Sequence, residues 1–179
     1  MEVTLQERLE KLLNAYSHQY DIERDVTVDG GTFPAVALFY LRDENYLISK
    51  KHVLSAVENY GYTYFFLTEH LTKEELQQQI DISRNDALSR VKPNKEHMST
   101  TASLVILANS IDAEAKKLIR KTRFRKYYRL ALHGWMEYHI SAMEVSTNSF
   151  LSNPAGREAR KTLEKNFKSR GSKKGATNK

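Results

Sequence analysis

The sequence predicts a helix-first α+β protein with one mainly antiparallel sheet and helices packed chiefly on one face. Two observations support this class. An amphipathic helix pattern at the start is followed by short apolar and β-branched stretches that are separated by turn residues. Strand and helix patterns then alternate over residues 62–145, which is typical of split β-α-β packing. The predicted element order is α-βββ-β-α-β-α-ββ-α.

The first half of the chain is predicted to form one helix and a strand meander. Thr4 and Glu7 have the spacing of a capping box, in which each side chain satisfies a backbone N–H that has no helical partner. Turn residues at 29–31 and 43–45 then divide the strands, and residues 51–59 have an ambiguous pattern that fits one or two helical turns. The predicted strands are 22–28, 34–42, 46–50 and 62–68.

The second half alternates between helices and strands. Thr72 and Glu75 form a second capping box, which opens a long helix that ends near Val91. Ser110 is predicted to cap a short helix, and Asn153 to cap a final helix with Pro154 at its first position. The predicted strands of this half are 98–108, 124–133, 135–145 (after a break or bulge at Gly134) and a short run at 149–152.

Composition limits the classes of protein that the chain can belong to. The absence of cysteine excludes disulfides, thiolate zinc sites, iron–sulfur clusters and a cysteine nucleophile, and it fits a reducing compartment. The longest apolar run, residues 104–108, is far shorter than the roughly 20 residues of a membrane span. We therefore expect a cytoplasmic protein with a single domain over residues 1–168 and a disordered basic tail over residues 169–179.

The positive charge is concentrated in the second part of the chain. Residues 1–115 contain 11 Lys and Arg against 18 Asp and Glu, whereas residues 116–179 contain 17 against 4. Such asymmetry indicates an anionic partner, either nucleic acid or an acidic protein, or else a solvated basic tail. The alternative of a solvated tail stays open at this level.

The basic stretch from 116 to 129 is the strongest candidate for a nucleic-acid interface. On a strand over 124–133, cations and Tyr127 would face one way while Phe124, Tyr128, Leu130 and Leu132 faced the core. Cations interleaved with aromatic rings suit single-stranded nucleic acid, although solvated Lys and Arg side chains give the same pattern and are the simpler interpretation. The candidate residues are Lys116, Lys117, Arg120, Lys121, Arg123, Arg125, Tyr127 and Arg129.

Two sets of side chains have the composition of a metal site. His133, Glu137 and His139 are the ligand types of a facial triad, but an extended strand would hold the two histidines roughly 20 Å apart. Asp21, Glu23 and Asp25 alternate along the first strand, where solvated charges would equally discourage edge pairing. Both sets are more simply explained as surface residues.

The function that the sequence favours is a non-catalytic accessory or binding module of unknown partner. The chain has no Gly-x-Ser-x-Gly elbow, no Gly-rich phosphate loop and no dinucleotide fingerprint. No cofactor is predicted. The alternatives are a nucleic-acid-binding protein that uses the 116–129 segment and the basic tail, and a small metal-dependent enzyme.

Overall fold

The computed structural model describes residues 3–46 and 53–168, which form four helices and seven strands. The predicted tail at 169–179 and residues 47–50 of the predicted strand at 46–50 lie outside the described residues. The elements, in chain order, are α1 (Leu5–Tyr16), β1 (Asp21–Val28), β2 (Gly31–Tyr46), β3 (Val53–Leu71), α2 (Lys73–Arg90), β4 (His97–Ile111), α3 (Ala113–Lys121), β5 (Arg125–Tyr127), β6 (Trp135–Glu144), β7 (Ser149–Ser152) and α4 (Arg157–Phe167).

The strands form one mixed sheet in the order β1-β2-β3-β4-β6-β5, and β7 also pairs with β6. Strands β1, β2 and β3 are an antiparallel meander, whereas β3, β4 and β6 are parallel. The helices α2 and α3 make the two crossovers, because parallel neighbours need a long connection. The α+β class is therefore confirmed, but the centre of the sheet is parallel where a mainly antiparallel sheet was predicted.

The helices pack on both faces of the sheet, which corrects the prediction of one covered face. Helices α2 and α3 cover one face, and α1 and α4 contact the other. The adjacent residues Tyr64 and Phe65 are both fully buried, one in each apolar cluster. The run at 104–108 likewise alternates between the two clusters, as a parallel strand covered on both sides requires.

The helix starts predicted from the two capping boxes are confirmed by their hydrogen bonds. The Thr4 hydroxyl accepts from the Glu7 N–H at 3.1 Å, and the Glu7 carboxylate accepts from the Thr4 N–H at 2.8 Å. At α2 the Thr72 hydroxyl accepts from the Glu75 N–H, but the Glu75 carboxylate accepts from the Thr68 hydroxyl at 3.1 Å instead of returning the bond. Half of the second capping box is therefore replaced by a bond to β3.

The meander has three long strands where four shorter ones were predicted. Residues 53–59, predicted as helical turns, begin β3, and residues 43–45, predicted as a turn, belong to β2. Asp43 pairs with Val57 on this ribbon, which extends beyond the point where β4 joins the sheet. Asp43 is polar and exposed, so its side-chain type did not distinguish a strand from a turn.

The predicted strand over 124–133 is wrong beyond its first few residues. Strand β5 ends at Tyr127, and residues 128–134 form a tight loop to β6. Phe124 and Tyr128 pack against the core as predicted, but Leu130 and Leu132 are 96% and 77% exposed. The physical reason is a backbone turn with positive φ angles, which spacing alone does not reveal.

Two predicted caps are also corrected. The N-cap of α3 is Asp112 rather than Ser110. Helix α4 begins at Arg157, and Asn153 is fully buried in the turn that precedes it. The Asn153 amide makes four hydrogen bonds to backbone groups, which anchor this turn to β6 and to the end of α3.

No helix in the described part of the chain is long and apolar enough to cross a membrane.

Candidate binding site

The face of the sheet beneath α1 and α4 is only partly covered, and its open part is polar. Thr63, Ser103 and His139 are register partners on β3, β4 and β6, so they form one row across the sheet. Thr101 and Glu137 form the next row. Neighbouring strands lie about 4.8 Å apart, so the three side chains of the first row span roughly 10 Å.

A change in side-chain type marks the limit of the helix cover. Phe65 and Val105 lie in the apolar cluster with α1 and α4, whereas Thr63 and Ser103 occupy the same strands two positions earlier. Parallel strands are normally apolar on both faces because helices cover both. Hydroxyl side chains at these central positions therefore indicate a face that contacts solvent or a ligand.

Two helices form the walls of a concavity of about 320 Å³ over this floor, which we call the groove. Tyr16 and Tyr20 lie on one wall, at the end of α1 and in the turn that follows it. Their rings are fixed by contacts of 5.2 Å with Phe65 and 5.4 Å with Phe39, respectively. The groove residues are Ala15, Tyr16, Gln19, Tyr20, Thr63, Thr101, Ser103, His139, Glu158, Ala159, Lys161, Thr162 and Lys165.

The α4 wall carries the charge of the groove. Lys161 forms an ion pair with Glu158 at 2.7 Å, so their charges offset each other. Lys165 has no ion pair within 4 Å among the described residues. Burial raises the pKa of Tyr16 and of Tyr20, so both phenols are neutral donors at physiological pH. The groove thus combines neutral hydrogen-bonding groups with two ammonium groups and one carboxylate, Glu158, whose pKa is lowered by Lys161 and, more weakly, by Lys165.

The hydroxyls on the floor of the groove are available to a ligand. Within the described chain, the side chains of Thr63, Thr101 and Ser103 form no hydrogen bond, although Thr63 and Ser103 are only 4% and 7% exposed. Buried polar groups in proteins are almost always paired. The hydroxyls of the floor are not fully enclosed, so solvent or a ligand in the groove can supply their hydrogen-bond partners.

An ionic chain borders the floor. The carboxylate of Glu137 accepts from Arg125 of β5 and lies 3.3 Å from the His139 Nε2. Burial alone would raise the pKa of Glu137, but the hydrogen bonds from Arg125 and His139 lower it below its ordinary value. Glu137 is therefore ionised at neutral pH, and it compensates the charge of Arg125.

The predicted nucleic-acid residues on α3 do not share one surface. Lys116 is bound to the buried Glu144 at 2.8 Å, where it has a structural role. Lys117 lies 3.8 Å from Glu114 on the exposed side of the helix. The two other cations of this helix are exposed in its last turn: Arg120 and Lys121.

The remaining candidates lie on three different segments. Arg123 precedes β5 and donates to backbone carbonyls at the end of α3. Arg125 and Tyr127 share one side of β5, and the guanidinium lies 5.9 Å from the ring centre. Arg129 lies in the loop that follows. The strand that would place all of them on one face ends at Tyr127, so only Arg125 and Tyr127 have the predicted arrangement.

The structure brings together two of the three proposed facial-triad residues. Glu137 and His139 are in contact, while His133 lies in the loop before β6. No group of three His, Asp or Glu side chains suited to a metal ion occurs within residues 3–46 and 53–168. The acidic side chains of β1 are exposed along an edge strand: Asp21, Glu23 and Asp25.

Sequence reasoning missed most of the groove. His139 was identified in a different role, but Thr63, Thr101, Ser103 and Lys165 were not identified. The available signal was the presence of hydroxyl residues inside otherwise apolar strands, in the stretches Tyr62–Thr68 and 98–108. Their proximity to α4 depends on the tertiary fold, because about a hundred residues separate Thr63 from Lys165.

Comparison with known proteins assigns the chain to a family. The model of the family described as "Domain of unknown function (DUF8052)" matches residues 4–165. The chain belongs to the DUF8052 family. No curated protein and no solved structure matches the sequence. The DUF8052 match begins at the N-cap of α1 and ends at Lys165, so it contains every residue of the groove.

Proposed function

We propose that this DUF8052 chain is a non-catalytic binding module that binds an anionic group, a carboxylate or a phosphate, in the groove. The observation that carries the proposal is the combination of an unpaired Lys165 with unpartnered hydroxyls at Thr63, Thr101 and Ser103. An ammonium supplies charge, and the hydroxyls donate to the remaining oxygen atoms of the bound group.

The size and position of the groove support a ligand that is part of a larger partner. Its volume of about 320 Å³ lies at the lower end of small-molecule sites. Beyond the groove the same face of the sheet continues on two strands. On β2 it continues through Phe39 to Leu41, and on β5 it continues through Arg125 to Tyr127. Leu41 and Tyr127 are about half exposed. A partner segment could therefore place its anionic group in the groove and lie across this surface.

The residues of the groove favour binding over catalysis. General acid–base chemistry needs a group whose pKa lies near the working pH. Glu137 has a lowered pKa and is already paired with Arg125. The Ser103 hydroxyl has no base in hydrogen-bonding contact among the described residues, so it is not activated as a nucleophile.

A contact of hydrolase residue types occurs at the opposite end of the sheet. The His70 imidazole lies 2.7 Å from the Ser110 hydroxyl and 3.0 Å from the Asp112 carboxylate. The His70 side chain is 56% exposed, and catalysis by such a triad needs oxyanion donors in a water-excluded site. The contact is better explained as local stabilisation where β3 and β4 end beside α3.

Titration of the full chain with anionic probes tests the proposal. Inorganic phosphate, an oligoglutamate peptide and a single-stranded oligonucleotide would be compared by calorimetry. We expect Lys165→Gln and Ser103→Val each to weaken binding of phosphate or the peptide by roughly tenfold, since each removes one bond to a charged group. Lys117→Gln is the matched control, because it changes the net charge equally on the exposed side of α3.

Two results would contradict the proposal. Equal weakening by Lys165→Gln and Lys117→Gln would show a general effect of net charge. Oligonucleotide binding that ignores Lys165 and Ser103 but is lost on changing Arg125 and Arg129 would favour the nucleic-acid hypothesis instead.

A further inference from the structure

The loop between β5 and β6, residues 128–134, presents two large apolar side chains to solvent; we call it the tip loop. Leu130 and Leu132 are 96% and 77% exposed, more than any other large apolar side chain in the described chain. Single exposed leucines are ordinary on protein surfaces, but two on one short projection form an apolar patch.

The tip loop has an ordered but sterically disfavoured backbone. Arg129, Leu130 and Ala131 have φ angles of 47°, 53° and 71°, a region that L residues with side chains rarely adopt. Hydrogen bonds nevertheless close the turn, from the Leu132 N–H to the Arg129 carbonyl at 3.0 Å and from the Gly134 N–H to the Ala131 carbonyl at 3.1 Å. Such strain is maintained where the surroundings hold it, and often where it serves a function.

The base of the tip loop is fixed to the neighbouring strand β4. A Cβ atom at Gly134 would lie 2.2 Å from the Met98 carbonyl oxygen, so the two backbones approach more closely than any other residue would allow. The His97 Nδ1 lies 2.6 Å from the His133 carbonyl oxygen. Met98, whose backbone lies against Gly134, is itself 45% exposed.

Cations lie next to the exposed leucines. Lys126 and Arg129 are both exposed, and neither forms an ion pair in the described part of the chain. The Lys126 ammonium lies 5.4 Å from the Tyr128 ring centre, at the base of the loop. The chain has no acidic residue between Glu114 and Glu137. The tip loop therefore combines an apolar apex with adjoining positive charge.

We propose that the tip loop binds the surface of an anionic phospholipid bilayer, with Leu130 and Leu132 inserted between the headgroups. Shallow insertion of apolar side chains, with nearby Lys and Arg contacting anionic headgroups, is how proteins attach to a bilayer surface. A stable protein partner would need about 800 Å² of buried surface on each side, far more than two leucines supply. The inference is independent of the groove, since no groove residue lies in the tip loop.

Vesicle binding by the full chain tests the inference, and the protein contains a built-in reporter. Trp135 is the only tryptophan in the sequence, and it follows the tip loop directly. Vesicles of phosphatidylcholine alone and with added phosphatidylserine would be compared, with brominated lipid as a quencher. We expect binding that needs phosphatidylserine and weakens as salt rises, with quenching of Trp135 emission in the bound state.

The variants separate the tip loop from the rest of the positive charge. Leu130→Asn with Leu132→Ser should lower partitioning of the protein onto the vesicles by about tenfold or more. The melting temperature should stay unchanged, since Asn tolerates a positive φ. Lys126→Gln with Arg129→Asn should remove most of the salt-dependent part of the vesicle binding. The control neutralises the C-terminal segment in the full chain by Arg170→Gln, Lys173→Gln and Lys174→Gln.

Three outcomes would overturn the inference. The first is the absence of vesicle binding at low salt. The second is binding that the C-terminal changes abolish and the leucine changes leave intact. The third is leucine-dependent self-association without vesicle binding, which would identify a protein contact.

Discussion

The buried carboxylate of Glu144 should contribute substantially to the stability of the fold at neutral pH. Glu144 is only 4% exposed, and it accepts hydrogen bonds from the Ile111 N–H at 2.9 Å and the Lys116 ammonium at 2.8 Å. The hydroxyls of Thr147 and Ser149 also donate to it. One side chain thus links the ends of β4 and β6, the first turn of α3 and the turn before β7.

The size of the effect follows from the pKa of this carboxyl group. Burial alone would raise the pKa of Glu144, but the four donors outweigh burial and lower it from 4.5 to about 2. Each pKa unit corresponds to about 1.4 kcal/mol, so the ionised form stabilises the folded state by about 3 kcal/mol. We expect Glu144→Gln to lower the free energy of unfolding by about that amount at pH 7.

The sign of the pH dependence follows from the lowered pKa. The contribution is fully present above the unfolded pKa of 4.5 and is lost as pH falls toward about 2. The difference between wild type and Glu144→Gln should therefore shrink across this interval. Urea unfolding followed by circular dichroism at a series of pH values measures this difference directly, and it cancels the contributions of the other carboxylates.

Glu114→Gln provides the matched control. Glu114 lies on α3 beside the same site, but it is exposed and pairs with Lys117 at 3.8 Å. Its replacement should change the free energy of unfolding by less than about 1 kcal/mol, as expected for a surface ion pair at a helix start. The reasoning is refuted if Glu144→Gln is as stable as wild type at pH 7, or if its deficit is constant between pH 4.5 and pH 2.

Four further substitutions at single buried groups should change the free energy of unfolding, which urea unfolding measures in each case. Ser83→Ala should lower the free energy of unfolding by about 1–2 kcal/mol, because the Ser83 hydroxyl pairs with the buried phenol of Tyr138 at 2.7 Å. Ser141→Ala should leave the free energy of unfolding unchanged or raise it by about 1 kcal/mol, because the buried Ser141 hydroxyl has no partner in the described chain. Changes of the same sign would contradict this contrast. Asn153→Ala should cost about 3 kcal/mol, since four hydrogen bonds to the backbone are lost, and a loss below about 1 kcal/mol would refute the anchoring role. Gly134→Ala should cost at least about 2 kcal/mol because of its φ of 75° and the close Met98 carbonyl, and a wild-type value would show that β4 moves aside.

The features that the sequence predicted correctly are those whose interactions lie within a few residues. The caps of α1 and α2 join residues three apart, so both partners are visible in the sequence. The strand predicted over residues 98–108 follows in the same way from a continuous apolar run, and β4 spans His97–Ile111. The same run did not indicate which helices cover each face.

The tip loop shows why spacing alone was insufficient. Leu130 and Leu132 have the alternation of a half-buried strand, and the strand prediction rested on that pattern. The chain instead turns, because Gly134 fits against the Met98 and His97 carbonyls of a distant strand. A contact with β4 therefore decided a local conformation that the local residues disfavour.

The sequence by itself determined the α+β class, the starts of α1 and α2 and the concentration of positive charge in the second part of the chain, because each depends on composition or on short-range spacing. Only the tertiary structure decided the mixed topology, the covering of both faces and the groove. Thr63, Ser103 and His139 form one row because parallel strands bring them into register across two helical crossovers. Register between distant strands depends on long-range packing, and a single sequence carries no local signal for it.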